Sequence, residues 1–509
     1  MTDVPNSMPA EEWPSPHAPA HAVGTSVTGG GAGAGLQPGT DALAPGAELN
    51  LGESVRVEAK GQGRYWTVED GRVLVGRTLP EVVSAMSQPR LSLGAMSAFA
   101  GRRASIWLSP FENVHRLTFG HELLVTATGP QVNRWLRPEL APEARGEPEV
   151  VMWEAITRAI DDATRGHSGA TVALSAGLDS TILLALAARL PRLRDGLRAC
   201  CAAPDHDGVL PVRGRCADEW PDASSVAALA RVPVRRLLDE DRFNWLELAD
   251  DVHKYSLMPV LGAANLWWLR KMNQMAVENG HGIVLTGQSG NATFSNGRPS
   301  APQPLRADGT WDPGPRSWRR LHTLRTLHRR KPPSALRPEI PVTMPDHVLD
   351  MAPWTRFCLV EPFSTADRPR TSGDVAWKDP LGSPEVITAA HSLPAAAWGA
   401  KGSDRTIARQ VGRGLIPEHV RLSQVRGVQG ADMPGTLLAH ADSYVDAVDR
   451  VRQSPTAREF LDTDVLSRGL DLLRGDLRSA RVFQQHYLRP LAVGLFAAWW
   501  DERPSIPRR

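Results

Sequence analysis

A chain of 509 residues, 42% of them hydrophobic, can build two or three domains around at least one sizeable core. Its formal net charge of +2 gives no ground for nucleic-acid binding. Four cysteines, none in a C-x-x-C pair, indicate neither a zinc site nor a disulfide framework; they fit four small buried side chains in a reduced, cytoplasmic protein.

In chain order, residues 1–46 come first. They are rich in Pro, Gly and Ala, and the run Gly29 to Gly35 has almost no side chain to bury. They read as a disordered tail, without the apolar stretch of a signal peptide. Residues 47–145 read as a small β-rich domain. Val55 and Val57, Tyr65 to Val68, and Val73 to Val75 form short strands, with Glu69-Asp70-Gly71 as a hairpin turn. Ala104 to Leu108, Val114 to Leu117 and Leu123 to Ala127 continue the pattern, punctuated by Gly120 and Gly129. Residues 146–509 read as a larger α/β domain. Val150, Trp153, Ile156, Ile160 and Ala163 recur at helical spacing, Thr171 to Leu174 reads as a buried strand, and Thr181 to Leu190 as an apolar helix. Residues 297–333 read as an irregular insertion, and the chain from about Pro345 as mostly helical. No apolar stretch is long enough to span a bilayer.

Between that strand and helix lies Ser175-Ala176-Gly177-Leu178-Asp179-Ser180. A strand delivers the chain to the sheet's carboxyl end, where ligands of α/β proteins bind. Gly177 lets backbone amides approach an anion, Ser175 and Ser180 can donate to phosphate oxygens, and the helix turns its positive end to the same anion. Asp179 would repel phosphate unless a cation stood between them, which suits a Mg²⁺ ligand bridging to pyrophosphate. There is no Walker Gly-Lys-Ser/Thr. The plainer alternative is a strand-to-helix turn capped by Asp or Ser.

The string resembles the S-G-G-x-D-S loop of the pyrophosphatase-type (PP-loop) ATP binders, with Ala176 in place of the first Gly. Asp218-Glu219-Trp220, followed by Ala223, Val226 and Ala227, resembles a D-E-x-x-x-A helix start. Leu285 to Ser295 resembles a second loop, G-E-G-A-D-E-L-F. Arg405-x-x-x-Arg409, Gly414 to Arg421 and Arg426-Gly427-Val428-Gln429 resemble a helical stretch ending in a basic loop. In this order, over most of residues 150 to 500, the pieces resemble asparagine synthetases and their relatives, which include β-lactam synthetases and lasso peptide cyclases. The resemblance implies an α/β PP-loop synthetase domain with a helical C-terminal part, preceded by a degenerate glutaminase-like β-rich domain. It implies ATP on Ser175, Gly177, Asp179, Ser180, Gly287 and Gln288, Mg²⁺ on Asp179 and Asn291, and catalytic roles for Asp179 and Arg426.

The chain departs from that pattern in places. Asn291 replaces the second loop's metal-binding Asp, Gln288 stands where β-lactam synthetase has a catalytic Tyr, and Val425 falls where asparagine synthetases carry a Lys, with Arg426 beside it. Thr2 follows Met1 and no Cys precedes Cys200, so the glutamine-hydrolysing Cys of asparagine synthetases has no counterpart, although Gly120-His121 resembles a P-G-H turn of that domain. The implied function is ATP-dependent amide formation through an acyl-adenylate, most specifically macrolactam closure of a ribosomal peptide. A precursor peptide and a leader protease are then partners, with no nucleic acid and no membrane. Amidation of a small natural-product acid, or a non-catalytic nucleotide- or peptide-binding relative, are the alternatives.

Other residues are open to two readings. Glu219 reads either as a group near the nucleotide or as a capped helix start. His253 and Asn265 flank an apolar stretch in which Trp267 and Trp268 read as core. The basic run from Arg316 to Lys331 reads as a solvated helix face, and Asp379-Pro380-Leu381 as a structural turn.

Overall fold

The computed structural model describes residues 46–57, 64–101, 108–117, 119–204, 209–210, 214–239, 242–293, 295, 333–337, 340, 375–398, 405–428 and 430–503. The tail expected over residues 1–46, apart from Gly46 itself, most of the expected insertion, the basic run from Arg316 to Lys331, and Cys358 lie outside them.

The N-terminal block holds seven strands: β1 (Ala47–Leu49), β2 (Ser54–Arg56), β3 (Arg64–Glu69), β4 (Arg72–Gly76), β5 (His115–Leu117), β6 (His121–Thr126) and β7 (Gly129–Arg134). They make a four-stranded sheet ordered β1-β4-β3-β5 and a three-stranded sheet ordered β2-β6-β7. The β3–β4 hairpin closes where the sequence placed it. Glu69 pairs with Arg72, and Asp70 and Gly71 both take positive φ (49° and 76°), the signature of a tight two-residue hairpin turn. Most of the Ala104 to Leu108 strand lies outside the described residues, and Leu108 makes an isolated bridge to His115. Two helices were not expected in this block, α1 (Leu79–Val83) and α2 (Leu93–Ala100). Ser92 caps α2 by accepting a hydrogen bond from the Ala95 amide.

The second layer system begins with α3 (Pro148–Ala163), which carries Pro at its first turn and buries Met152, Ala155, Ile156, Ala159 and Ile160. It then alternates β8 (Ala170–Ala173), α4 (Leu178–Ala187), β9 (Leu197–Ala202), β10 (Arg215–Cys216), α5 (Trp220–Ala230), β11 (Val234–Leu237), α6 (Leu246–Ser256), α7 (Leu266–Glu278), β12 (Ile283–Leu285), the single turn α8 (Gly290–Thr293) and β13 (Ala376–Lys378). Five of these strands form a parallel sheet ordered β11-β9-β8-β12-β13. The chain moves outward from β8 to β11, then returns to the other side of β8 with β12. The switch point therefore falls between β8 and β12, where α/β sheets place their ligands. Helix α4 starts three residues earlier than its apolar run suggests, because Leu178, Asp179 and Ser180 already lie in its first turn. Strand β13 is a short exception within a C-terminal third expected to be mostly helical.

Beyond β13 the described chain is otherwise helical, apart from the short strand β14 (Arg426–Gly427). One apolar core joins the N-terminal strands to the C-terminal helices. Phe111 meets Trp500 edge-on at 4.7 Å, and Arg489 donates to the Phe99 carbonyl at 2.6 Å. A second core fills the sides of the parallel sheet. Cys200 and Cys201 are buried as expected, whereas Cys216 is half-buried. Among the described residues no helix is long and apolar enough to cross a membrane.

Candidate active site

The loop after β8 and the loop after β12 leave the sheet side by side. Leu285 pairs with Val172 across the switch point, so Ser175 to Ser180 and Thr286 to Gly290 face each other. Their contact is tight. A Cβ on Gly287 would lie 2.8 Å from the Asp179 carbonyl carbon and the Ser180 nitrogen, and one on Gly290 would lie 2.1 Å from Asp179 Oδ1. Only glycine allows that approach. Gln288 is half-buried in the same loop.

Each amide at the start of the first loop meets an oxygen. The Ser175 amide donates to Ser180 Oγ at 3.0 Å, the Gly177 amide to Ser175 Oγ at 3.1 Å, and the Ala176 amide to Glu219 Oε1 at 3.2 Å. The two hydroxyls lie 2.9 Å apart. Side-chain oxygens thus take the backbone donors just before and at the N-terminus of α4, an end of a helix that favours anionic groups. The plainer reading is a turn capped by Asp or Ser, but Gly177 is the N-cap of α4 and no side chain caps it; Ser180 Oγ bonds back to the Ser175 and Gly177 carbonyls at 3.2 Å each.

Glu219 resolves in favour of the loop. It sits at the N-cap of α5 but makes no side-chain cap; Asp218 instead accepts from the Trp220 amide at 3.0 Å. Burial, with Asp222 and Asp218 nearby, raises the Glu219 carboxyl above its ordinary range against the pull of the Ala176 amide. A Cβ on Gly427 would lie 2.5 Å from the Glu219 carboxyl carbon. Strand β14 pairs in parallel with β10, Arg426 opposite Arg215 and Gly427 opposite Cys216, and the Val428 amide donates to the Cys216 carbonyl at 3.1 Å. The backbone at Arg426 is therefore tied, through Gly427 and Glu219, to the first loop, while Val425 is exposed.

Asp179 is buried, and its Oδ1 has no hydrogen-bond partner. Burial pushes its carboxyl up to about 7; the Ser295 hydroxyl and the Arg405 charge pull it down, and the Asp379 charge pushes it up. Asn291 is exposed, and its Oδ1 accepts from Ser295 Oγ at 3.3 Å. Asp379 follows β13, and its Oδ2 accepts from the Ser289 amide at 2.9 Å and the Ser289 hydroxyl at 2.7 Å. Among the described residues, no group of three His, Cys, Asp or Glu side chains is placed to hold a metal. A hard cation fits this donor set through one or two carboxylates completed by phosphate oxygens, the way Mg²⁺ is commonly held with nucleotides.

Arg405 and Asp379 escaped assignment to the site in the sequence, and Glu219 is placed near the nucleotide by only one of its two readings. For Asp379 a signal existed: it directly follows a strand that ends at the same sheet edge as β12, and the Thr286 amide donates to the Lys378 carbonyl at 2.9 Å. Trp267 is core, as read from the sequence, whereas Trp268 is half-buried and its indole donates to Asn265 Oδ1 at 3.1 Å; His253, read only as flanking that stretch, is fully buried.

No curated protein matches the chain. Solved structures similar to it include the NH₃-dependent NAD synthetase of Campylobacter jejuni, at 13% identity and TM-score 0.20, covering 29% of this chain and 60% of that one. They also include the glutamine-dependent NAD⁺ synthetase of Acinetobacter baumannii in complex with ADP, at 11% identity and TM-score 0.25, covering 74% of this chain and 49% of that one. The asparagine synthase family model matches residues 152–501, more than half the chain, and with a PP-loop at the switch point of a parallel sheet the chain belongs to the asparagine synthase family of ATP-dependent carbon–nitrogen ligases.

Proposed function

We propose that the chain activates a carboxylate by adenylation and joins it to an amine within the same ribosomal peptide, closing a macrolactam. The supporting observation is the pairing of the loops 175–180 and 286–290 at the switch point, with loop amides, two hydroxyls and a buried carboxylate converging there. In this reading the Ser175, Ala176 and Gly177 amides exchange their present oxygen partners for phosphate oxygens of ATP. The substrate carboxylate attacks the α-phosphorus, pyrophosphate leaves, and the amine displaces AMP from the acyl-adenylate. Asp179 would hold a Mg²⁺, which when bound would supply charge neutralisation for the phosphates. In this reading Arg426, in the basic loop, answers the charge that builds on pyrophosphate. Positioning and charge stabilisation account for most of the rate.

The choice of a peptide amine over ammonia rests on the reading of residues 47–145 as a degenerate glutaminase-like domain. The test is a product assay with ATP, Mg²⁺ and candidate leaderless core peptides, run beside small acids with ammonia. AMP, pyrophosphate and a peptide lighter by one water are expected. ADP and phosphate would overturn the adenylation reading. AMP formation with a small acid plus ammonia, but not with the peptide, would move the assignment to small-molecule amidation. Glutamate release from glutamine would overturn the assignment of the amine source.

A further inference from the structure

Three backbone amides at the start of the first loop are taken by side-chain oxygens, and one of the three acceptors differs in kind. Ser180 Oγ and Ser175 Oγ belong to the loop itself, and a hydroxyl that accepts from an amide also has a proton to give. When a phosphate oxygen takes the amide, such a hydroxyl can turn its proton to the same phosphate and stay in place. The acceptor on the Ala176 amide comes instead from 43 residues further along the chain. Glu219 Oε1 faces that amide at 3.2 Å. It is an acceptor whether or not the carboxyl carries a proton, so it competes with a phosphate oxygen for one N–H. The carboxyl is also wedged. On Gly427 of β14 a Cβ would stand 2.5 Å from its carbon and from Oε2, and 2.7 Å from Oε1. Asp218 and Asp222 are its acidic neighbours, and Arg236 pairs with Asp218 at 3.0 Å.

We propose that Glu219 is a built-in stand-in for phosphate: it occupies the Ala176 amide in the ligand-free chain and is displaced when phosphate binds. The proposal rests on the reading that the first loop takes the phosphates of ATP. Part of the binding free energy then goes into moving the carboxyl, so the ligand-free chain binds phosphate less tightly than its loop amides allow. The same carboxyl packs on Gly427, so its departure from the amide also removes a packing partner of β14. Phosphate arriving at the first loop is in this way felt at the basic loop.

The experiment is calorimetric titration of inorganic pyrophosphate with Mg²⁺ into the full chain, for wild type, Glu219→Ala, Glu219→Asp and Glu219→Gln. Alanine removes the acceptor, and aspartate keeps a carboxyl but is one methylene too short to reach the amide. Glutamine keeps both the reach and an acceptor oxygen. Pyrophosphate is expected to bind fivefold or more tightly to the Ala and Asp variants, with a smaller gain for Gln. Should Glu219→Ala fail to fold, Glu219→Asp, which keeps a polar group beside β14, is read in the same way. Unchanged or weaker binding in the Ala and Asp variants overturns the proposal, because Glu219 then arranges the loop for phosphate or donates to it. A gain for Gln equal to that for Ala overturns it as well, since charge and not the amide contact would be the obstacle. Binding by none of the four proteins overturns the reading that the loop takes phosphate, and this proposal with it.

Discussion

At the level of single residues, the site depends on contacts that only certain side chains permit. Asp179 supplies the loop's own carboxylate, so Asp179→Ala should abolish pyrophosphate release. The loss should fall more on kcat than on resting ATP binding, because negative charge grows on the leaving pyrophosphate as the bond breaks. Asn291→Asp returns a carboxylate at nearly unchanged size and should be tolerated, with a lower Mg²⁺ requirement. Pyrophosphate release measured against Mg²⁺ concentration checks both. Wild-type rates in Asp179→Ala would mean that the chemistry lies elsewhere. A folded but inactive Asn291→Asp would mean that the amide's neutral bond to Ser295 is needed. The same carboxylate carries a pH signature in the ligand-free chain. Its folded value of about 7 lies above the ordinary 3.8, so the folded state holds a proton that the unfolded state has released. That contribution to stability is full below about pH 4 and is lost as pH rises towards 7. Asp179→Asn should remove this downward slope, as read from denaturant midpoints at pH 5 and pH 8.

At the level of elements, two short strands matter more than their length suggests. Strand β14 holds the basic loop against β10, and Gly427 leaves just enough room for the Glu219 carboxyl that meets the Ala176 amide. Gly427→Ala puts a methyl group 2.5 Å from the Glu219 carboxyl carbon. Either the carboxylate or the basic loop must move. We expect kcat/KM to fall tenfold or more, about 1.4 kcal/mol of transition-state stabilisation, with the thermal midpoint little changed. An equal fall in stability and activity would mean that the contact only holds the fold together. This pairing was hidden in the sequence because two-residue strands carry no periodicity, whereas β3, β4 and β8 were legible as runs of apolar or alternating residues. The first loop was legible too, since a buried strand, a glycine and an apolar helix follow one another. Its true boundary was not, because apolar spacing begins at Thr181 while the helical hydrogen bonds begin with Leu178. Helices α1 and α2 were missed because short helices inside a strand-rich block compete poorly with the period-2 pattern around them.

In the whole molecule, the synthetase core and the N-terminal strands are joined through the C-terminal helices, a connection no local pattern reveals. Phe99 and Arg489, 390 residues apart in sequence, meet in space. Fully buried Trp245 donates to the hydroxyl of fully buried Tyr444 at 2.8 Å. In the same region His253 of α6 packs its ring against Phe496 at 5.3 Å and Trp499 at 5.7 Å, both on the helix Leu488–Asp501. Neither ring nitrogen makes a hydrogen bond. Above it Arg450 joins Asp250 of α6 to Glu502 just past that helix, at 2.8 and 2.6 Å. Burial drives the His253 pKa down to about 3; Asp250 opposes this and Arg450 adds to it. A folded value below the unfolded 6.5 means that the unfolded chain takes up the proton first as the solution is acidified. The stability contributed by neutral His253 is therefore complete above about pH 6.5 and is lost progressively as pH falls towards 3. His253→Phe keeps a ring in the pocket and removes the titrating group. Relative to its own value at pH 7.5, the wild type should lose about 2 kcal/mol more than the variant by pH 5, given about 1.4 kcal/mol per unit of separation between the solution pH and the unfolded pKa. Denaturant melts of both proteins at the two pH values measure this directly. Parallel acid slopes would show that acid opens the molecule somewhere other than the α6 contact with the C-terminal helix. A flatter slope in His253→Phe would identify that contact as the acid-sensitive seam between the sheet and the helices that join it to the N-terminal strands.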